Sequence, residues 1–202
     1  MTSRRWTLAA ALAFAALAAG ALGVAWVEQR AGSQGKGVAA IGGPFSLVDD
    51  RGAPVSEASL LGKPSVIYFG YTFCPEVCPT TLNDLARWIR AQGSEADRMN
   101  YVFITVDPER DNAQLMHDYV TSFDPHLRGF TGTPEQIAAA AKAWRVYYRK
   151  IPISNGSYEM DHSAMLYLMG PDSKFVDLIA YGESDASALA KLKNLAAGRS
   201  TR

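Results

Sequence analysis

From Pro64 to Thr72 the chain reads Pro-Ser-Val-Ile-Tyr-Phe-Gly-Tyr-Thr, without a charge, and runs straight into Phe73-Cys74-Pro75-Glu76-Val77-Cys78-Pro79. A continuous apolar, β-rich run of this kind is the mark of a strand buried on both faces, which demands packing layers above and below it. Beyond it, Leu82, Leu85, Ala86 and Ile89 recur at helical spacing and Gly93 supplies a stop, so a helix is expected over Pro79 to Gln92. Pro79 biases Cys78 away from helical angles and marks it as the N-cap. A buried strand thus hands both cysteines of the chain to the start of a helix.

The remaining punctuation extends this unit. Pro44 to Val48 and Val55 bracket Asp49-Asp50-Arg51-Gly52, the pattern of a hairpin with an Asp/Gly turn. Tyr101 to Val106 is a second buried-type strand. Asp111 is placed as the cap of a helix through Leu115, Tyr119 and Phe123, and Asp107-Pro108 as a strand-ending turn. Thr133-Pro134-Glu135-Gln136 combines an N-cap, a proline at the first helical position and a capping-box glutamine, opening a helix that reaches about Trp144. Val146 to Ile153 reads as extended, Asn155-Gly156 as a turn, and Ser163 to Met169 and Phe175 to Ala180 as a strand pair around Gly170-Pro171-Asp172-Ser173. Ser184 or Asp185 caps a last helix to about Ala197. Strands alternating with helices give an α/β domain with a central sheet. A cysteine motif at a strand-to-helix junction, together with this element order, fits the thioredoxin-like class, here with an extra N-terminal hairpin.

Arg4 and Arg5 precede an apolar run from Trp6 to Val27 with no charge before Glu28. Its length suits a bilayer-spanning helix better than the shorter apolar core of a cleavable leader, although small residues near its end leave cleavage open. Residues 1–28 are therefore expected to form one N-terminal transmembrane helix or signal, 29–43 a Gly- and Ser-containing tether, and 44–202 the folded domain. The paired arginines place the N-terminus in the cytoplasm and the body in a periplasm-like or intermembrane space. Twenty basic and 20 acidic side chains leave no net charge, which excludes a nucleic-acid-binding stripe.

Two cysteines, three histidines and six methionines are all the soft metal ligands available. Two cysteines alone are a local device, not a disulfide scaffold. At a helix N-terminus both thiols should be partly ionised near neutral pH and able to share one ion, and thiolates favour Cu(I) and also suit zinc. Asp161-His162-Ser163 opens an apolar strand, and a histidine arriving there completes a Cys₂His set, with Asp161 orienting the imidazole or tuning its basicity. The loop from Lys150 to Met160 is expected to let His162 move. Met160 is the one methionine placed as an auxiliary ligand. Met165 and Met169 read as packing, and His117 and His126 as surface or capping residues. Metal-free thiol chemistry by Cys74 and Cys78 stays open on these residues alone.

Tyr71-Thr72-Phe73-Cys74-Pro75-Glu76-Val77-Cys78-Pro79-Thr80-Thr81 resembles the copper motif of the Sco (SenC) family. Val106-Asp107-Pro108-Glu109-Arg110-Asp111, Asp161-His162-Ser163 and Tyr167-Leu168-Met169-Gly170-Pro171-Asp172 follow in that family's order. The resemblance covers roughly Gly43 to the C-terminus. It implies a thioredoxin-like fold and one copper ion, Cu(I) or Cu(II), held by Cys74, Cys78 and His162. It also implies a non-enzymatic metallochaperone for the CuA centre of cytochrome c oxidase. The partners implied are the copper-bearing oxidase subunit or another copper chaperone, with the membrane met through the N-terminal helix. A membrane-anchored thiol–disulfide reductase, which keeps a partner's copper-binding cysteines reduced, is the alternative.

Overall fold

A computed structural model describes residues 41–199. Within them lies a seven-stranded mixed sheet of order β2-β1-β5-β4-β3-β8-β9. Its strands are β1 (Ser46–Asp49), β2 (Pro54–Ser56), β3 (Ser65–Gly70), β4 (Asn100–Thr105), β5 (Leu127–Thr131), β8 (Met165–Met169) and β9 (Phe175–Ala180). Two further strands, β6 (Tyr148–Pro152) and β7 (Tyr158–His162), form an antiparallel hairpin that is not hydrogen-bonded into that sheet. The helices are α1 (Val77–Gln92), α2 (Ala113–Thr121), α3 (Pro134–Ala143) and α4 (Asp185–Ala196). This is a thioredoxin-like α/β fold with the expected N-terminal hairpin, β1–β2, paired through Leu47 and Val55. The expected transmembrane segment at 1–28 lies outside the described residues. Among the described residues no helix is long and apolar enough to cross a membrane.

The uncharged run forms β3, in which every residue is buried. It pairs in parallel with β4 and antiparallel with β8, so it sits near the middle of the sheet. Alternate side chains serve two cores, as the period of a strand requires. On one face Tyr68 meets Phe103, which in turn packs on Tyr119 of α2. On the other, Phe69 meets Trp144, which follows α3, and Tyr167 of β8. The capping box expected at Thr133 is present, with reciprocal bonds to Gln136 and Pro134 in the first turn. Ser184 caps α4.

Two local expectations are corrected and one unannounced strand is added. β5 is a central strand, parallel to β4, and the segment Leu-Arg-Gly-Phe-Thr is too short and mixed to announce it. The cap of α2 is Asn112, whose side chain accepts from the Leu115 N–H, while Asp111 lies fully buried beneath it. The segment leading to His162 is not a loose loop. It is strand β7, and His162 closes that strand opposite Tyr148 instead of opening β8.

Candidate metal centre

β3 and β4 run parallel, so the loops leaving their carboxyl ends emerge side by side, where open α/β sheets build their sites. The loop after β3 carries the cysteines and the loop after β4 carries Asp107 to Asp111. Asp111 joins the two. Its carboxylate accepts from the Thr72 backbone N–H (3.1 Å), the Thr72 hydroxyl (2.5 Å) and the Thr105 hydroxyl (2.6 Å). Burial pushes the Asp111 carboxyl up from its usual range.

α1 begins at Val77 with Glu76 as its N-cap, two residues earlier than the spacing predicted. Cys78 is therefore in the first helical turn. Pro79 is tolerated there because the amides of a first turn have no intrahelical acceptor to lose. One of those orphan donors, the Cys78 N–H, points at Cys74 Sγ at 3.3 Å. The Cys74 thiol is held down at about 3, first by a hydrogen bond from the Cys78 thiol and then by His162 and the amides of Cys78 and Glu76. Cys78 moves the opposite way. Its proton serves the neighbouring thiolate and burial opposes a second charge, so its acidity is suppressed. The expectation that both sulfurs ionise together is thus corrected to one thiolate and one thiol sharing a proton.

Cys78 has no exposed surface, and Cys74 is partly exposed. The buried sulfur fits because β3 ends in a glycine. A Cβ on Gly70 would lie 2.7 Å from Cys78 Sγ and 2.6 Å from the Phe103 ring. Tyr68 donates its hydroxyl to Cys78 Sγ at 3.5 Å.

His162 reaches the pair from the β6–β7 hairpin, with Nε2 3.4 Å from Cys78 Sγ. Its Nδ1 lies 3.0 Å from the Ser163 carbonyl. A carbonyl only accepts, so this contact puts a proton on Nδ1 and leaves Nε2 facing the sulfurs. The ring stands edge-on to Tyr71 (5.7 Å between centroids) and tilted on Tyr68 (6.3 Å). Asp161 faces elsewhere: its carboxylate lies 3.7 Å from Arg149 and 3.4 Å from the Tyr147 hydroxyl. The group that orients the imidazole is the Ser163 carbonyl.

The donor atoms of Cys74, Cys78 and His162 all lie within 4.8 Å of one another, a group that can hold a metal ion. Cys74 and His162 border an open groove of about 260 Å³ lined also by Tyr71, Glu76, Glu159 and Met160. A larger groove, about 420 Å³ between the end of α1 and α4, is lined by Gln92, Glu95, Arg98 and Lys193 and carries no thiol or imidazole, so size does not mark the site. The other histidines are engaged away from the cysteines. His117 pairs with Asp50, and His126 bridges Asp124 and Asp97.

The fold and the cluster together define a thioredoxin-like domain with a Cys₂His metal-binding group at the strand-to-helix turn. The SCO1/SenC family model matches residues 33–197, and the chain belongs to that family. It is 46% identical over 149 residues to the Arabidopsis thaliana protein SCO1 homolog 1, mitochondrial, covering 73% of this chain and 44% of that protein. It is 39% identical over 143 residues to protein SenC of Rhodobacter capsulatus, covering 71% and 65%. Among solved structures, Bradyrhizobium japonicum ScoI with copper bound is 48% identical, with a TM-score of 0.73 over 77% of this chain and 99% of that one. Yeast Sco1 with copper bound is 36% identical, with a TM-score of 0.71 over 77% and 87%. The chain spans about half the length of the first curated relatives it matches.

Proposed function

We propose that this protein is a copper metallochaperone that carries one copper ion on Cys74, Cys78 and His162 and passes it to a partner during assembly of the CuA centre of cytochrome c oxidase. The observation that carries the reading is the convergence of two sulfurs and an imidazole nitrogen within 4.8 Å at the edge of an open groove. Copper is the cargo. Soft thiolates favour Cu(I), and the added imidazole accommodates either oxidation state. A three-donor set leaves room for an incoming thiolate or thioether, so transfer proceeds by ligand exchange. The copper-bound relatives support the choice of metal, and the mitochondrial names of several of them support a compartment outside the cytosol. The N-terminal run would anchor the body there.

Copper stoichiometry on reduced protein tests this. One equivalent is expected in the wild type, and His162→Ala should lose affinity by at least tenfold. Equal retention in both proteins would remove His162 from the site.

A second reading is favoured by the asymmetry of the thiols. An accessible thiolate at about 3 beside a buried thiol is the arrangement of an attacking and a resolving cysteine. Cys74 would attack a partner disulfide and release one partner thiolate. Cys78 would then give up its proton and attack Cys74 in the mixed disulfide, releasing the second thiolate and leaving a Cys74–Cys78 disulfide. His162→Ala separates the readings, because it should abolish copper retention and leave disulfide reduction intact.

A further inference from the structure

The hairpin that carries His162 is outside the main sheet, so its position over the cysteines depends on side chains. One residue gathers most of these contacts. Arg110, in the loop after β4, donates Nη1 to the Tyr158 carbonyl at 3.1 Å, at the first residue of β7. Its Nε is in close contact with the fully buried Asp107 carboxylate. The other oxygen of that carboxylate accepts from the Tyr158 hydroxyl at 2.8 Å. The guanidinium stacks 3.9 Å from the centre of the Tyr158 ring. On the cysteine-loop side it lies 4.8 Å from the ring of Phe73 and 5.7 Å from that of Tyr71. Lys150 of β6 adds an ion pair to Glu109 at 2.6 Å and lies 4.6 Å from the centre of the Tyr158 ring. Arg110 Nη2 is buried with no partner, so the guanidinium gives up one hydrogen bond to hold this position.

The geometry points to Asp107, Arg110 and Tyr158 as a latch that holds the β6–β7 hairpin against the cysteine loop, making Arg110 a positioning residue for His162. A planar guanidinium can stack and donate in fixed directions at once, which a lysine cannot. When the latch is closed, His162 sits between Tyr68 and Tyr71 with Nε2 on the sulfurs. When it opens, the hairpin keeps its own pairing but the imidazole leaves, and two sulfurs remain. The latch therefore sets how firmly the third ligand is offered to the cargo. This rests on the copper-carrying reading only for its consequence; the latch itself is a property of the metal-free protein.

The test uses both states. In reduced, copper-free protein the His162 ring protons should show ring-current shifts from the two tyrosines. Tyr158→Phe, which removes only the bond to Asp107, should move them part of the way to unstructured values. Arg110→Lys should move them further. Asp107→Asn combined with Arg110→Gln, which leaves no buried unpaired charge, should move them furthest, with β3 and β4 resonances unchanged. In the copper-loaded state the paired variant should bind roughly tenfold more weakly than wild type, yet no more weakly than His162→Ala when added to it, because contributions through one residue are not additive. Unmoved His162 resonances in all three variants, or a full additive loss on top of His162→Ala, would overturn the latch. A wild type that holds no copper but shows the resonance shifts would instead overturn the metallochaperone reading and leave the latch standing.

Discussion

At the scale of single residues, the site turns on which sulfur carries the charge. Cys74 receives a thiol proton donor, an imidazole and helix-start amides, and it ionises at about 3 instead of near 8.5. Alkylation of reduced protein by iodoacetamide should therefore stay nearly constant between about pH 8 and 5, whereas an ordinary thiol slows by roughly three orders of magnitude over that range. A rate that falls tenfold per unit below pH 8 would mean that Cys74 is not the held thiolate. The linked effect on stability has a definite sign. A depressed Cys74 stabilises the reduced fold fully above about 8.5, the unfolded value, and this contribution is lost as the pH falls toward 3. Cys78 works the other way above that value, since the unfolded chain ionises it more readily than the fold does. Gly70 belongs to the same scale. Its missing side chain is what leaves room for Cys78 Sγ, and no spacing in the sequence marks it.

At the scale of elements, parallel strands place two loops side by side and Asp111 fastens one to the other. Asp111→Ala strands the Thr72 N–H and the hydroxyls of Thr72 and Thr105, and each lost bond to a buried carboxylate costs about 1–3 kcal/mol. A destabilisation of roughly 3 kcal/mol or more is expected in denaturant unfolding, together with weaker copper retention as the cysteine loop loses its anchor. A variant as stable as wild type would show that the carboxylate is dispensable. Asp111 also illustrates what the sequence conceals. An aspartate before an amphipathic stretch looks like a helix cap, but its partners are Thr72, 39 residues away, and Thr105 at the buried end of β4. Burial depth is a tertiary property with no local signature. β5 was illegible for a related reason. Gly129 sits in its centre because Met116 of α2 packs there, 2.9 Å from where a Cβ would be, so tertiary contact outranks strand propensity. The elements that were legible, β3, α3 with its capping box, and β8–β9, are those with unbroken periodicity or complete end signals.

At the scale of the whole molecule, the three donors come from two substructures of one domain, the loop and helix start after β3 that carry the sulfurs and the β6–β7 hairpin that carries the imidazole. Cargo that bridges them should tie the hairpin down. Copper in hundredfold excess over its Kd stabilises the native state by roughly 2.7 kcal/mol, and the melting temperature of reduced wild type should rise accordingly. In His162→Ala the rise should be clearly smaller, because the bridge is gone; equal rises would place the metal on the sulfurs alone. The overall class and the three clustered residues were readable from sequence through their motifs. The hairpin's independence was not, because pairing between strands is decided by what each edge meets in space.

The complete burial of Cys78 has a directional consequence. With Tyr68 and Phe103 behind that sulfur and β3 beneath it, the open groove beside it is bordered by Cys74 and His162 and not by Cys78. On the copper-carrying reading proposed above, unloading would follow a sequence, with the imidazole let go first, the outer sulfur next and the inner sulfur last. A wrong recipient that cannot displace the first two never reaches the third, so the depth of one side chain serves as a queue that protects the cargo until the proper exchange is nearly complete.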